Sequence, residues 1–218
     1  MDTFFFYARF SGLLGCLVLA AAVLHAAFGY TGRKGERYSP LNHFISELGE
    51  IGVSRRARVF NAGMILAGLL LLPFLAGLGL MLRNIWALLG LAAGVWACLS
   101  CSAVGLFPMD DLAAHIKAAL SYFYAGFATA ALFTVAILTK RGHAISGAAV
   151  AAGILAITSH GIFLVLGAVL TWRSGGDPRR QFDPSVLTER PAVWGITVAE
   201  WAVLLTTLGW FTTLLLDT

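Results

Sequence analysis

Charged residues are scarce in this sequence. They make up 12% of the 218 residues, and 59% are hydrophobic, whereas soluble domains carry about a quarter charged residues. A soluble chain of this composition could not cover its surface with polar groups, but a membrane chain needs no such cover because lipid solvates its outside. The net charge of +4 is of the kind that basic residues flanking membrane spans produce. The composition therefore excludes an ordinary soluble domain and does not indicate nucleic-acid binding.

Cysteine and the familiar catalytic motifs are also missing or rare. Cys16, Cys98 and Cys101 are the three cysteines, and they lie in apolar stretches, so they form no disulfide framework. The spacing in CLSC suggests a metal motif, but its apolar surroundings favour a packing role. The sequence lacks H-x-x-x-H, H-E-x-x-H and G-x-S-x-G patterns. It also shows no evident internal repeat, which argues against an alternating-access transporter.

What the sequence does contain is six stretches long enough to cross a hydrocarbon core as helices. They lie near residues 9–29, 57–82, 84–107, 112–139, 144–172 and 192–216. We therefore predict an all-α fold, a polytopic membrane helix bundle with six transmembrane helices in one domain, residues 1–218. Gly90 and Gly94 have the spacing that lets another helix approach closely, and we expect them to serve packing within the monomer.

Almost all polar residues belong to one side of this bundle. That side carries the connections 30–56, 108–111 and 173–191, and we call it the motif face. It holds 11 basic residues, and the other side holds four. By the positive-inside rule this excess makes the motif face cytoplasmic. If some arginines bind a phosphate or pair with carboxylates, however, the count reflects function and not orientation.

The motif face begins with SPLNHFISELGEIG, residues 39–52. Ser39 and Pro40 suit the start of a helix, and Gly49 suits its end. We predict a short amphipathic interfacial helix here, with an apolar stripe on one side. Its opposite side carries His43, Ser46, Glu47 and Glu50. This polar side faces either water or the mouth of the bundle, and we favour the mouth, where it would form the wall of a site.

Further ionisable residues follow in the membrane helices. In GLFPMDDLAAHIK, Pro108 breaks the chain and either Asp110 or Asp111 caps the next helix. His115 lies one turn inside that helix. His160 and Glu200 lie deeper, roughly 18 Å and 13 Å from the motif face at the rise of an α-helix. A carboxylate at that depth should face the bundle interior and have a partner.

A second group of polar residues could bind a ligand near these. Asn61 begins the second membrane helix. Arg179, Arg180 and Arg190 could hold an anionic headgroup, because a guanidinium matches a phosphate in a bidentate way. Arg190 could instead form an exposed pair with Glu189, which would contribute little. The clustering of all these groups on one side predicts a polar cavity open to one leaflet and its adjoining water.

Four pieces in order, SPLNHFISELG, FNAG, GLFPMDDLAAH and TERP, resemble domain-of-unknown-function family 998. The resemblance covers nearly the whole chain, and more distantly it extends to the Frag1/DRAM-like six-helix proteins. It implies a six-helix integral membrane protein of bacteria or archaea, which we expect in the cytoplasmic (inner) membrane, and it implies no established reaction. Of the two neighbouring aspartates, the resemblance favours Asp110 as the site residue, because Asp110 matches the P-x-D spacing of the family. By position it singles out Ser46, Glu47, Asn61, Pro108, Asp110, His115 and Arg190.

The sequence supports three functional hypotheses: an enzyme that hydrolyses or remodels a lipid or lipid-linked anionic substrate, a non-catalytic lipid-binding or assembly protein, and a proton-coupled transporter. It does not decide whether the chain is an enzyme. We expect membrane lipids as partners and no nucleic acid. The candidate catalytic residues are Glu47, Asp110, His115, His160 and Glu200. The candidate binding residues are His43, Ser46, Asn61, Arg179, Arg180 and Arg190. A divalent metal such as zinc would use ligands among His43, His115, His160 and Asp110.

Overall fold

The structure is a computed structural model that describes residues 3–140 and 145–217. Within those ranges every regular element is helical. The α-helices are α1 (Thr3–Phe28), α2 (Ala57–Leu82), α3 (Ile85–Leu106), α4 (Leu112–Thr139), α5 (Gly147–Arg173), α6 (Pro184–Thr188) and α7 (Gly195–Asp217). Two short 3₁₀ helices cover Ile45–Gly49 and Pro178–Phe182.

Six of these helices, all except α6, are long and apolar enough to cross a membrane. The predicted all-α bundle of six membrane helices is thus confirmed, and the chain is a multi-pass membrane protein. Most predicted bounds lie within three residues of the observed ones. Helix α1 begins at Thr3 and not near residue 9, because the apolar and aromatic residues before Arg9 continue the helix. Ala144, the predicted start of the fifth span, lies outside the described residues.

The membrane helices form a ring in which neighbours in sequence are neighbours in space. Helices α1 to α5 each pack on the next in sequence, α5 packs on α7, and α7 closes the ring against α1. Gly90 and Gly94 of α3 are buried. A Cβ added to Gly90 would meet Phe133 of α4, and one added to Gly94 would meet Leu75 of α2. Their spacing therefore serves packing within the chain.

The stretch 39–52 differs from its predicted helix. Residues 40–43 form turns, and only Ile45–Gly49 are helical, as a 3₁₀ helix. Phe44 interrupts the helix with extended backbone angles (φ −65°, ψ 147°). Its amide N–H donates to Glu47 Oε1 at 2.8 Å, and its ring packs against Phe182 and Trp194. A tertiary contact of Phe44 has thus overridden the local helix signal.

The stretch also differs from a surface amphipathic helix in its burial. Leu41 of the expected apolar stripe is 50% exposed, but Phe44, Ile45 and Leu48 are buried, and so are the polar residues His43, Glu47 and Glu50. The polar side therefore turns towards the protein and not towards water.

Candidate functional site

The three connections of the motif face contact one another. The Asn42 side-chain nitrogen donates to the Pro191 carbonyl at 3.3 Å, the Trp194 backbone N–H donates to the Leu41 carbonyl at 2.7 Å, and the Ser46 hydroxyl lies 3.3 Å from Met109 Sδ. The segment before α7, the segment before α2 and the corner between α3 and α4 thus form a single cap on the bundle.

A buried ion pair fastens this cap. Arg190 Nη1 lies 2.8 Å from Glu47 Oε1 and Nη2 lies 3.0 Å from Glu47 Oε2. The Arg190 and Glu47 side chains are 8% and 1% exposed. Arg190 also donates to the Asn42 carbonyl at 2.9 Å, and the Tyr30 hydroxyl donates to Glu47 Oε2 at 3.3 Å. Most of the N–H donors of Arg190 are therefore bonded to the protein itself, and its contacts are those of a residue that joins segments.

His43 lies beside this pair, in a nest of aromatic rings. It is 3% exposed and packs against Tyr30 and Tyr38. Its Nδ1 is 2.8 Å from Asn42 Oδ1, and its Nε2 is 3.7 Å from Glu36 Oε1. Burial in this nest lowers the pKa of His43, although the nearby Glu47 acts in the opposite direction.

Glu50 and Asn61 support the same cap. Burial raises the pKa of Glu50, while its ion pair with Arg33 acts in the opposite direction. The Asn61 amide nitrogen donates to the Gly49 carbonyl at 3.0 Å, so this side chain holds the end of the 3₁₀ helix Ile45–Gly49. Both contacts are structural.

Two further candidate arginines, Arg179 and Arg180, lie in the connection 173–191. Arg179 pairs with Asp177 two residues away, and hydrogen bonds from Arg179 lower the pKa of Asp177. Both Arg179 and Arg180 are exposed. The anion clamp of Arg179, Arg180 and Arg190 stays a prediction: Arg190 is paired with Glu47, whereas Arg179 and Arg180 are exposed.

The corner between α3 and α4 separates the two aspartates that the sequence left as alternatives. Asp111 caps α4 by accepting from the Ala114 N–H at 3.3 Å. Asp110 is exposed. His115 is 3% exposed, and its Nδ1 lies 2.8 Å from the Phe107 carbonyl oxygen. That bond ties the first turn of α4 back to the end of α3.

Glu200 of α7 contacts the 3₁₀ helix Ile45–Gly49 from inside the bundle. Its side chain is buried in α7, and its Oε2 accepts a hydrogen bond from the Ile45 N–H at 2.7 Å. The prediction that a carboxylate at this depth faces the interior with a partner is confirmed. The partner is a backbone amide and not a cation.

His160 lies apart from the other candidates. It is 1% exposed, and its Nδ1 lies 2.8 Å from the Ala156 carbonyl oxygen of its own helix. It lines a small internal cavity of about 40 Å³, which the other candidate histidines do not reach. Among residues 3–140 and 145–217, no three His, Cys, Asp or Glu side chains form a group that could hold a metal ion. The zinc site thus stays a prediction, and the structure assembles no ligand set for it.

A much larger cavity of about 530 Å³ lies inside the ring of helices, beneath the cap. Its walls are mainly aliphatic and aromatic side chains of α1, α2, α4, α5 and α7. The polar side chains at its motif-face end include Ser46, His115, Thr171, Gln181 and Glu200. Among residues 3–140 and 145–217, no Lys or Arg lines it. Of the four predicted polar residues of the 39–52 stretch, only Ser46 lines it.

This cavity extends to the outer surface between α4 and α5. Its lining residues Leu120, Tyr124 and Trp172 are 39%, 60% and 78% exposed. Leu120 and Tyr124 belong to α4, and Trp172 belongs to α5. Because both helices are long and apolar enough to cross a membrane, this side of the cavity is the one that lipid would contact. The sequence reasoning missed this feature, and its one local signal is the pair of small residues Gly167 and Ala168 on α5, which leave space in the wall.

Comparison with known proteins gives a family but no described relative. A family model whose description is "Protein of unknown function (DUF998)" matches residues 13–217. No curated protein matches the chain, and no solved structure matches it. These comparisons do not bear on the more distant Frag1/DRAM-like resemblance.

Proposed function

We propose that this chain, which belongs to the DUF998 family of proteins of unknown function, binds the hydrocarbon chain of a membrane lipid in its large cavity. The observation that carries the proposal is the cavity's combination of apolar walls, a sideways opening into the bilayer and a polar end at the motif face.

The size and lining of the cavity suit such a ligand. Its volume of about 530 Å³ lies within the range of small-molecule sites, about 300–1,000 Å³. Val203 and Phe163, which line it, are 1% and 8% exposed. An apolar space is a poor site for water because water finds few hydrogen-bond partners there. A lipid chain forms no hydrogen bonds, so it can occupy the same space without losing any.

The position of the opening supports a ligand that arrives from the membrane. Trp172 lies at the motif-face end of α5 and is exposed, as is typical of tryptophan at a membrane interface. Tyr124 lies deeper in α4. A chain that enters between the two helices would have its polar end near the cap and its apolar end in the bundle, as it does in a leaflet.

Lipid binding explains the structure better than catalysis does. Glu47 and Arg190, two central candidates of the enzyme hypothesis, are joined to each other and do not line the cavity. His115 and Glu200 do line it, and each makes a structural hydrogen bond. A catalytic role for these two residues stays a prediction, and it would require the binding proposed here.

Photolabelling tests this proposal. The protein is placed in phosphatidylcholine vesicles with a monoacylglycerol whose acyl chain carries a diazirine, and the labelled residues are mapped by mass spectrometry. Val203 is 1% exposed and Leu205 is 61% exposed on the same helix, so surrounding lipid can reach Leu205 but not Val203. We expect labelling of both residues.

A cavity-filling variant gives the control. A Cβ at Gly167 would have only Ile196 Cδ1 within 4 Å, at 3.9 Å, so Gly167→Phe has room to fill the cavity. It should abolish labelling of Val203 and preserve labelling of Leu205. Gly209→Phe, at an exposed position with nothing within 4 Å, should change neither. Labelling of Leu205 alone in the wild-type protein would refute the proposal.

A further inference from the structure

Two acceptor atoms at the polar end of the cavity receive no hydrogen bond from the described residues of the protein. Glu200 lines the cavity, and its Oε2 is bonded to the Ile45 N–H. Its Oε1 receives no hydrogen bond from residues 3–140 or 145–217, and no cation of those ranges pairs with it. Whatever its protonation, Glu200 supplies no positive charge to the cavity.

His115 offers a second acceptor. Its Nδ1 lies 2.8 Å from the Phe107 carbonyl oxygen, and a carbonyl oxygen can only accept. Nδ1 therefore carries the hydrogen, which leaves Nε2 of the neutral ring with a lone pair. The ring lines the cavity, and the described part of the chain provides no donor to this nitrogen.

The cavity also lacks a countercharge for an anion. No lysine or arginine of the described part of the chain lines it. Arg190 is held by Glu47, Arg179 is held by Asp177, and Arg180 is exposed. A phosphate or carboxylate in this space would be removed from water next to a glutamate, and an unpaired charge in an apolar site is strongly disfavoured.

We propose that the polar group that enters the cavity is not anionic and donates a hydrogen bond, as the hydroxyl of a glyceride, an amide N–H or an amine does. This inference rests on the proposed function, because it names the class of lipid that the same site takes. It replaces the phosphorylated ligand that the arginines of the sequence suggested.

Three single-chain probes with the same diazirine-bearing acyl or alkyl chain test the inference. They are a monoacylglycerol, which is neutral and bears hydroxyls, its phosphorylated counterpart lysophosphatidic acid, which is anionic, and a long-chain amine, which is cationic. Each is added to phosphatidylcholine vesicles that contain the full chain. Labelling of Val203 is divided by labelling of Leu205, so that differences in membrane partition cancel.

We expect the monoacylglycerol and the amine to give this Val203 signal and the phosphorylated probe to give one at least about a hundredfold weaker, since an ion buried without a partner is penalised by several powers of ten in affinity. Glu200→Gln retains an oxygen for the Ile45 N–H but can no longer carry a negative charge. It should weaken the amine signal about tenfold or more relative to the monoacylglycerol signal. His115→Phe keeps the ring volume and removes the acceptor, so it should weaken the monoacylglycerol signal.

The outcomes separate the two proposals. If the phosphorylated probe labels Val203 as strongly as the monoacylglycerol does, the headgroup inference is wrong and the proposed chain binding stands. If the amine signal is unchanged by Glu200→Gln and the monoacylglycerol signal is unchanged by His115→Phe, the inference is also wrong. If no probe labels Val203, the proposed function fails, and the inference fails with it.

Discussion

Breaking the Arg190–Glu47 pair should destabilise the cap of the motif face strongly. Both side chains are almost fully buried, at 8% and 1% exposure, and they meet in two parallel hydrogen bonds. Arg190→Met would retain most of the side-chain volume but leave the Glu47 carboxylate buried without a cation. Removal of one partner of a buried pair costs about 3–5 kcal/mol in the free energy of unfolding. We expect Arg190→Met to lie in that range.

The assay is reversible unfolding of the purified protein in mixed micelles, followed by tryptophan fluorescence. Arg179→Met is the matched control, because Arg179 also pairs with a carboxylate but is exposed, and exposed pairs contribute little. It should leave the unfolding free energy close to that of the wild-type protein. The double variant Glu47→Gln/Arg190→Met removes the stranded charge and should be more stable than Arg190→Met alone. Equal stability of Arg190→Met and Arg179→Met would refute the reasoning.

Three further predictions concern stability in the same assay. Glu200→Leu should cost about 1–3 kcal/mol because it leaves the buried Ile45 N–H without an acceptor, whereas Glu200→Gln should cost much less; equal losses would show that the bond is unimportant. Burial lowers the pKa of His43, so below about pH 6.5 the unfolded chain binds a proton that the folded chain does not, and stability falls as the pH drops. His43→Gln should make this pH dependence shallower, and an unchanged slope would contradict the assignment. Gly68→Val should destabilise the contact of α2 with α3, because a Cβ there would lie 2.5 Å from an α3 carbonyl oxygen; wild-type stability would contradict that close approach.

The fold could be predicted from the sequence because its signals are local and strong. A membrane helix needs only a long apolar run, and the bounds of α2 and α4 were predicted to the residue. The stretch 39–52 shows where such reasoning ends. Its periodicity indicated a helix from Ser39, but the contacts of Phe44 with Phe182 and Trp194, more than 130 residues away in sequence, decided the local conformation.

The site was predicted only in part, for a similar reason. Depth along the helices placed Glu200 inside the bundle, and the clustering of polar residues located the motif face. The sequence does not show which charged side chains form ion pairs, however. Arg190 therefore appeared available for a phosphate, although it is paired with Glu47. The cavity itself is made of ordinary apolar residues such as Phe163 and Val203. Nothing in their identity distinguishes a cavity wall from a packed core.

The most direct test of the central claim is native mass spectrometry of the protein released from detergent micelles. The wild-type protein and Gly209→Phe should each retain a tightly bound lipid, and Gly167→Phe, in which the new ring occupies the cavity lined by Gly167, should retain none. If all three proteins carry the same amount of bound lipid, or if the wild-type protein carries none, the cavity is not a lipid site.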